Sequence, residues 1–346
     1  MSTDDPATLQ AIAAEAGLSV ATVSKILGGK YKGNTPKGRE RSTRVLAIAK
    51  RLGFIANASA RRLRSGAHQA VIVFVMVDDF GHPPIFSIDF LLGINQSLRA
   101  HGKSVIVHTV VRPHSQINGH ETGELVRSQM PTDRTFDGAL VIDQLVPEVE
   151  AFLAQVDVPV GYINSDPGPG RQSSQRDERA AGADLVTTLA GLGYRHIVAL
   201  GETGDQTTSI GGHIAYPQRW AGIKAAAQAA GLRLTSLPDP WWSGGFTDTI
   251  AQVPVAEDTV VVAMDVNTVL MFLRFGSREV ALACCDDSHL FSDIYPLLTR
   301  VRFDRVALGR QAADRLLAQM VEPQAPLASV PLMRGMVMVG NTTPAR

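Results

Sequence analysis

The side chains of this 346-residue chain best equipped to act on another molecule are crowded at its start. Residues 1 to 69 hold 12 of the 33 Lys+Arg and 4 of the 33 Asp+Glu, so this stretch carries +8 and the remainder −8 under a formal net charge of zero. Lys30, Lys32, Lys37, Arg39 and Arg41 follow one another in GGKYKGNTPKGRER, and Arg61, Arg62 and Arg64 surround Leu63 in NASARRLRSG. Cations at that density suit ion pairing along a phosphate backbone, and an acidic remainder keeps the rest of the chain off it. Solvated surface charge explains a milder bias equally well.

The elements that must position these cations begin with LQAIAAEAGLSVATVSKIL, Leu9 to Leu27. Leu9, Ile12 and Ala13 form one apolar stripe at helical spacing, and Leu18, Val23, Ile26 and Leu27 form a second. Between them Gly17 suits a left-handed interhelical turn, Ser19 is a good N-cap for the second helix, and Ala13 is small where two helices cross closely. The pattern reads as a helix-turn-helix, the docking unit of many repressors, although a plain helical hairpin can show it too. Thr8 caps the first helix after a short arm, and GGKYKGNTPKGRER reads as a glycine-rich basic loop. A third helix spans about Ser42 to Leu52, with Val45, Ile48, Ala49 and Leu52 inward and Gly53 as its stop. The next segment, NASARRL, is a basic helix too short to be stable without a partner or DNA. Ser65 to Gln69 reads as a linker.

From Ala70 the period changes. AVIVFVMV is a continuous β-branched run, as in a strand buried on both faces of a parallel sheet. Strand-like segments SVIVHTVV, DGALVI, VPVGYI, HIVALG, TVVVAM and VALACC then alternate with helical ones, an α/β signature with right-handed crossovers. No apolar run approaches the roughly 18 to 20 residues of a membrane span, and MSTDDPAT lacks the regions of a signal peptide, so the expectation is a cytoplasmic protein. Cys284 and Cys285, the only two cysteines, sit in an apolar run and read as buried strand thiols, with no disulfide framework or metal site. A Walker loop, G-x-S-x-G and H-E-x-x-H are absent, and the nine histidines lack ligand spacing. GETGDQTTSIGGH lacks the strand-then-GxGxxG spacing of a dinucleotide site. No enzyme, cofactor or metal is expected.

Position by position, LQAIAAEAGLSVATVSKIL resembles the headpiece of the lactose-repressor family of transcriptional regulators. VLAIAKRLGFIAN is similar to that family's third helix with its following turn, NASARRL to its hinge helix, and the likeness continues through the body. It implies an all-α three-helix headpiece (1–56) and a hinge helix with linker (57–69). An α/β effector and dimerisation domain (70–346) follows, resembling a periplasmic sugar-binding protein with two Rossmann-like lobes. Lobe 1 would take about 70–175 and 304–325, and lobe 2 about 176–303 and 326–346. The resemblance implies Val20, Ala21 and Lys25 at base edges, Ser19, Thr22 and Ser24 toward phosphates, and Asn57, Ala60 and Leu63 of the hinge on DNA, with Leu63 as a minor-groove wedge. Physics suits those roles: lysine can donate to guanine acceptors, a small apolar side chain can meet a thymine methyl, and an inserted leucine unstacks a base step. Lys25 stands where the family more often has arginine, which removes the bidentate grip. Ala56 replaces a usual proline, and the loop after Leu27 is longer than the family's.

In the interlobe cleft the resemblance points to Arg219 (PQRWAGI), Trp242 (WWSGGF), Asp286 (CCDD), Asn164 (INSD) and Asp265 as effector-binding residues. An aromatic face for a sugar ring, with an arginine fork and a carboxylate for vicinal hydroxyls, suits a sugar or related polyol. Met264 precedes Asp265 where the family tends to have an amide. The C-terminal stretch contains no heptads for a tetramerising coiled coil, and a two-fold operator calls for a homodimer. The expectation is a DNA-binding repressor under allosteric control by a small molecule, with duplex operator DNA as partner and no membrane. The alternative is a solute-binding sensor of the same body fold.

Overall fold

The computed structural model describes residues 9–27, 31, 35–52, 70–78, 87–112, 119–132, 135–143, 146–201, 214–238, 246–288, 295–326 and 329–346. The chain divides into two compact units, 1–68 and 69–346.

In the first unit, α1 (Leu9–Ala16) and α2 (Val20–Leu27) flank Gly17, whose φ of 65° is the left-handed turn that a side chain would strain. The Leu18 N–H bonds back to the Ala13 carbonyl at 3.0 Å, closing α1, and the Ser19 hydroxyl accepts the Thr22 N–H at 3.2 Å, capping α2. The third helix, α3, runs Pro36–Arg51 and so begins well before the expected Ser42. Thr35 caps it by accepting the Gly38 N–H at 3.1 Å, and Pro36 fills the first position, where a missing N–H costs nothing. Lys37, Arg39 and Arg41 therefore project from a helix, not a loop. Ile12, Ala13, Ala16, Val23, Ile26, Val45, Ile48 and Ala49 make the buried core. Thr8, Lys30, Lys32, Gly53 and Ala56 lie outside the described residues.

The second unit holds two sheets. β1 (Ala70–Asp78), β2 (Ser104–Arg112), β3 (Gly138–Ile142), β4 (Val160–Ile163) and β5 (Gln172–Ser174) form a parallel sheet in the order β2-β1-β3-β4-β5. It is interleaved with α4 (Ser87–Ala100), α5 (Gly119–Ser128) and α6 (Pro147–Val156). Along β1 the run AVIVFVMV splits by parity: Val71, Val73 and Val75 enter one core layer, and Ile72, Phe74 and Met76 the other.

The second sheet comprises β6 (His196–Leu200), β7 (Arg233–Leu237), β8 (Thr259–Ala263), β9 (Ala281–Cys284), β10 (Thr299–Arg302) and β11 (Met336–Met338). Its order is β11-β10-β9-β8-β6-β7, parallel except for β11, so it repeats the winding of the first sheet. Its helices are α7 (Glu178–Gly191), α8 (Ala215–Ala229), α9 (Phe246–Ala251) and α10 (Val266–Phe275). The last helix, α11 (Arg305–Val321), returns to the first sheet: Leu308, Ala312, Ala313 and Leu316 share a core with Phe90, Ile94 and Leu140. Cys284 and Cys285 are buried on opposite faces of the second sheet, as alternation requires, and burial pushes both thiols up, Cys285 to about 12.

Two glycines let α7 and α8 touch. A Cβ on Gly222 would lie 2.0 Å from the Arg179 carbonyl oxygen, and one on Gly182 would lie 2.4 Å from that of Arg219. Backbone cannot yield as a side-chain tip can, so Gly222→Ala is expected to destabilise the unit by about 1–3 kcal/mol, the usual cost of overpacking. Gly191→Ala, where no atom lies within 4 Å, should be neutral or slightly stabilising. Urea unfolding midpoints of the two variants check the contrast, and equal midpoints would contradict it.

Candidate functional site

The first candidate surface is on α2. Val23 and Ile26 point into the core, which turns Val20, Ala21 and Lys25 outward together, Val20 with 42 % of its surface exposed. A solvent-facing valine beside an alanine and a lysine one turn on gives no advantage to packing within this unit. Ser19 is engaged as the cap and its hydroxyl lies 2.9 Å from that of Thr22. Ser24 is half-buried on the flank of the same helix. Asn57, Ala60 and Leu63 lie outside the described residues.

The second site gathers where strands of both sheets end. Asp143 and Asn164 follow β3 and β4 with φ of 64° and 55°, the left-handed conformation that Asp and Asn tolerate best among residues with a Cβ. The Asn164 amide donates to Asp143 Oδ1 at 3.0 Å, and its carbonyl oxygen accepts from Arg176 Nε at 3.3 Å. From the second sheet come Asp265 after β8 and Asp286 after β9. Asp265 caps α10 by accepting the Thr268 N–H at 2.8 Å, and its other oxygen accepts the Tyr216 hydroxyl at 2.5 Å.

Arg219 on α8 is 2 % exposed and its donors are largely committed. Nε and Nη2 donate to the two oxygens of Glu178 at 2.8 and 3.1 Å, Nη2 also to Asp286 Oδ2 at 2.7 Å, and Nη1 to the Met264 carbonyl at 2.5 Å. The fork expected to take vicinal hydroxyls is thus occupied by Glu178, a fully buried carboxylate on the neighbouring helix, which the close approach of α7 and α8 at Gly182 and Gly222 brings within reach. Glu178 also holds Arg176 Nη2 at 2.6 Å. Asp286 Oδ1 accepts Arg176 Nη1 at 3.2 Å, the Asp287 N–H at 2.8 Å, and Arg305 in a close ion pair.

Burial alone would push the Asp286 carboxyl up, but Arg219, Arg305 and Arg176 outweigh it and hold the group well below the usual carboxylate range. For Arg219 burial acts to lower the pKa, and Asp286 with Glu178 reverse it. Asn164, Arg219, Asp265 and Asp286 are accordingly brought into one buried polar cluster, while Trp242 lies outside the described residues. Sequence reasoning missed Arg176, Glu178 and Arg305. The signal for them was thin, because each sits beside an N-capping aspartate, Asp177 or Asp304, where charge normally reads as solvated. Among the described residues no group of three His, Cys, Asp or Glu could hold a metal ion, and no helix is long and apolar enough to cross a membrane.

Comparison with known proteins agrees with this construction. The family description of a periplasmic binding protein-like domain matches residues 186–343. The HTH-type transcriptional regulator GntR of Pseudomonas aeruginosa is 27 % identical over 328 residues, covering 90 % of this chain and 88 % of that protein. Among solved structures, a lac repressor dimer bound to operator and the anti-inducer ONPF matches with a TM-score of 0.71 and 19 % identity, over 99 % of this chain and all of that one. The complex of the transcriptional regulator CelR with cellobiose matches at a TM-score of 0.60 and 21 % identity, covering 97 % and 99 %. With the helix-turn-helix and the doubled α/β winding, these likenesses point one way: over nearly its whole length the chain is similar to HTH-type transcriptional regulators, with a periplasmic binding protein-like domain at residues 186–343.

Proposed function

We propose that this protein is a dimeric repressor that binds a palindromic operator and is controlled by a sugar or related polyol in the cleft between its lobes. The observation that carries the DNA half is the outward face of α2, where Val20, Ala21 and Lys25 stand free of the core, with further exposed cations on α3 of the same unit. In this reading residues 1–56 dock in the major groove and 57–69 order as a hinge, with Leu63 as the wedge between base steps. Residues 70–346 bind effector and dimerise. Exposed apolar side chains support a self-association surface: Ile88 and Leu92 one turn apart on α4, Val107 and Val111 on the edge strand β2, and Leu270 and Phe275 on α10.

The effector is read as a polyol because the cleft groups are carboxylates and an amide at strand ends and the Tyr216 phenol in the first turn of α8, with Trp242 as the stacking face. The cellobiose held by CelR is in keeping with it. Control is a population shift: effector favours one lobe arrangement, which changes hinge-helix spacing and thereby operator affinity, by no more than its differential affinity for the two states. The protein is read as acting in the cytoplasm and without catalysis.

Selection of genomic fragments by the full-length protein at physiological salt tests this reading. Recovery of one short inverted repeat is the expected result, with release or tightening on addition of sugar pools. Sequence-indifferent binding with and without those pools would leave a solute-binding sensor as the better description.

A further inference from the structure

Three segments carry the chain between the lobes, linking β5 to α7, β10 to α11 and α11 to β11. Arg176 lies in the first, and Arg305 follows the second as the opening residue of α11; each is 3 % exposed. Both end on Asp286 Oδ1, which belongs to the second sheet. Since α11 is packed into the core of the first sheet, the Arg305–Asp286 pair is a bond between lobes. Arg176 makes the same connection by a second path, because its Nε bonds Asn164 at the end of β4 while its Nη1 bonds Asp286.

Oδ1 of the carboxylate has nothing left to offer. A carboxylate accepts at about four lone-pair positions. Asp286 Oδ1 receives Arg176, Arg305 and the Asp287 N–H, and Oδ2 receives Arg219. A ligand that donates to Asp286 Oδ1 must displace one of its three partners, and displacing Arg305 or Arg176 loosens one lobe from the other.

We propose that Asp286 is the interlobe keystone of this protein, a positioning residue that fixes the angle between the lobes through Arg305 and Arg176. Its regulatory meaning rests on the effector reading given above: a polyol that takes Asp286 Oδ1 in place of Arg305 or Arg176 releases an arginine of a crossover, so occupancy is converted into lobe movement. The keystone itself requires no ligand and is tested without one.

Ala100→Cys in the first lobe and Ala229→Cys in the second, both exposed, accept spin labels, while the buried Cys284 and Cys285 do not. Pulsed EPR on the full chain, with labelled subunits diluted into unlabelled ones, then reads the interlobe distance. Arg305→Met leaves Arg176 and Arg219 facing Glu178 and Asp286, so the cluster stays balanced and the fold is expected to survive. The mean distance should shift and its distribution broaden, and Arg305→Lys, which restores the charge, should recover most of the parent distribution. A distribution for Arg305→Met that superimposes on the parent overturns the keystone, as does an Arg305→Lys distribution as disturbed as that of the methionine variant. Should the methionine variant fail to fold, Arg305→Gln, which keeps a donor but no charge, is read in the same way. Unmoved distances refute the keystone and leave the effector reading intact; a cleft that binds no sugar does the reverse.

Discussion

Asp286→Asn is expected to cost about 3–5 kcal/mol of folding stability, the range for removing one partner from a buried ion cluster. Three arginines converge on this carboxylate, and without its charge Arg176 and Arg219 keep Glu178 as their ion-pair partner while Arg305 loses the ion pair it makes with Asp286. At roughly 2–4 °C per kcal/mol for a domain of this size, Tm should fall by about 6–20 °C in a thermal scan. The pH dependence fixes the cause. The folded-state pKa of Asp286 is depressed, so its contribution is complete above the unfolded carboxylate value near 3.9 and is lost as pH falls through the lower folded value. The gap between parent and variant should therefore be full at neutral pH and shrink below about pH 4. A gap that persists undiminished into acid would mean that the loss is one of shape, not charge.

The second large effect concerns DNA. A head that neutralises some six to ten phosphates should lose about 1,000-fold or more in operator affinity between 50 and 200 mM salt. Within that background, on the proposed role of Lys25 at a base acceptor, Lys25→Ala should cost about 1–3 kcal/mol at one base pair of each half-site and little elsewhere. Titrations against operators substituted one base pair at a time decide this. A uniform loss across all of them, with a shallower salt slope, would move Lys25 from base reader to phosphate contact.

Local signals carried most of the architecture. Gly17 and Ser19 marked their turn and cap because each has a backbone requirement that its residue type alone satisfies well. The parity of Val71 to Met76 marked a strand covered on both faces. The early start of α3 was missed because Lys37, Gly38, Arg39, Glu40 and Arg41 carry no apolar stripe, and Thr35-Pro36, a cap followed by a first-turn proline, was the only sign. The strand-end cluster was beyond local reading for a different reason. Asp286 meets partners 110, 67 and 19 residues away, and no spacing rule spans such separations. Resemblance supplied Arg219 and Asp286 as residues, but their mutual engagement, and that of Arg219 with Glu178, followed only from the packing of α7 on α8.

The return of α11 to the first sheet bears on how the chain is made. Phe90, Ile94 and Leu140 wait for Leu308, Ala312 and Leu316 to complete their core. At about 5–20 residues per second, the interval on the ribosome between β5 and the end of α11 is on the order of ten seconds. The lobe synthesised first thus waits through that interval for its last helix, presenting an unfilled apolar groove to chaperones. The other lobe draws all but its edge strand β11 from one contiguous run and can close while its predecessor is still open.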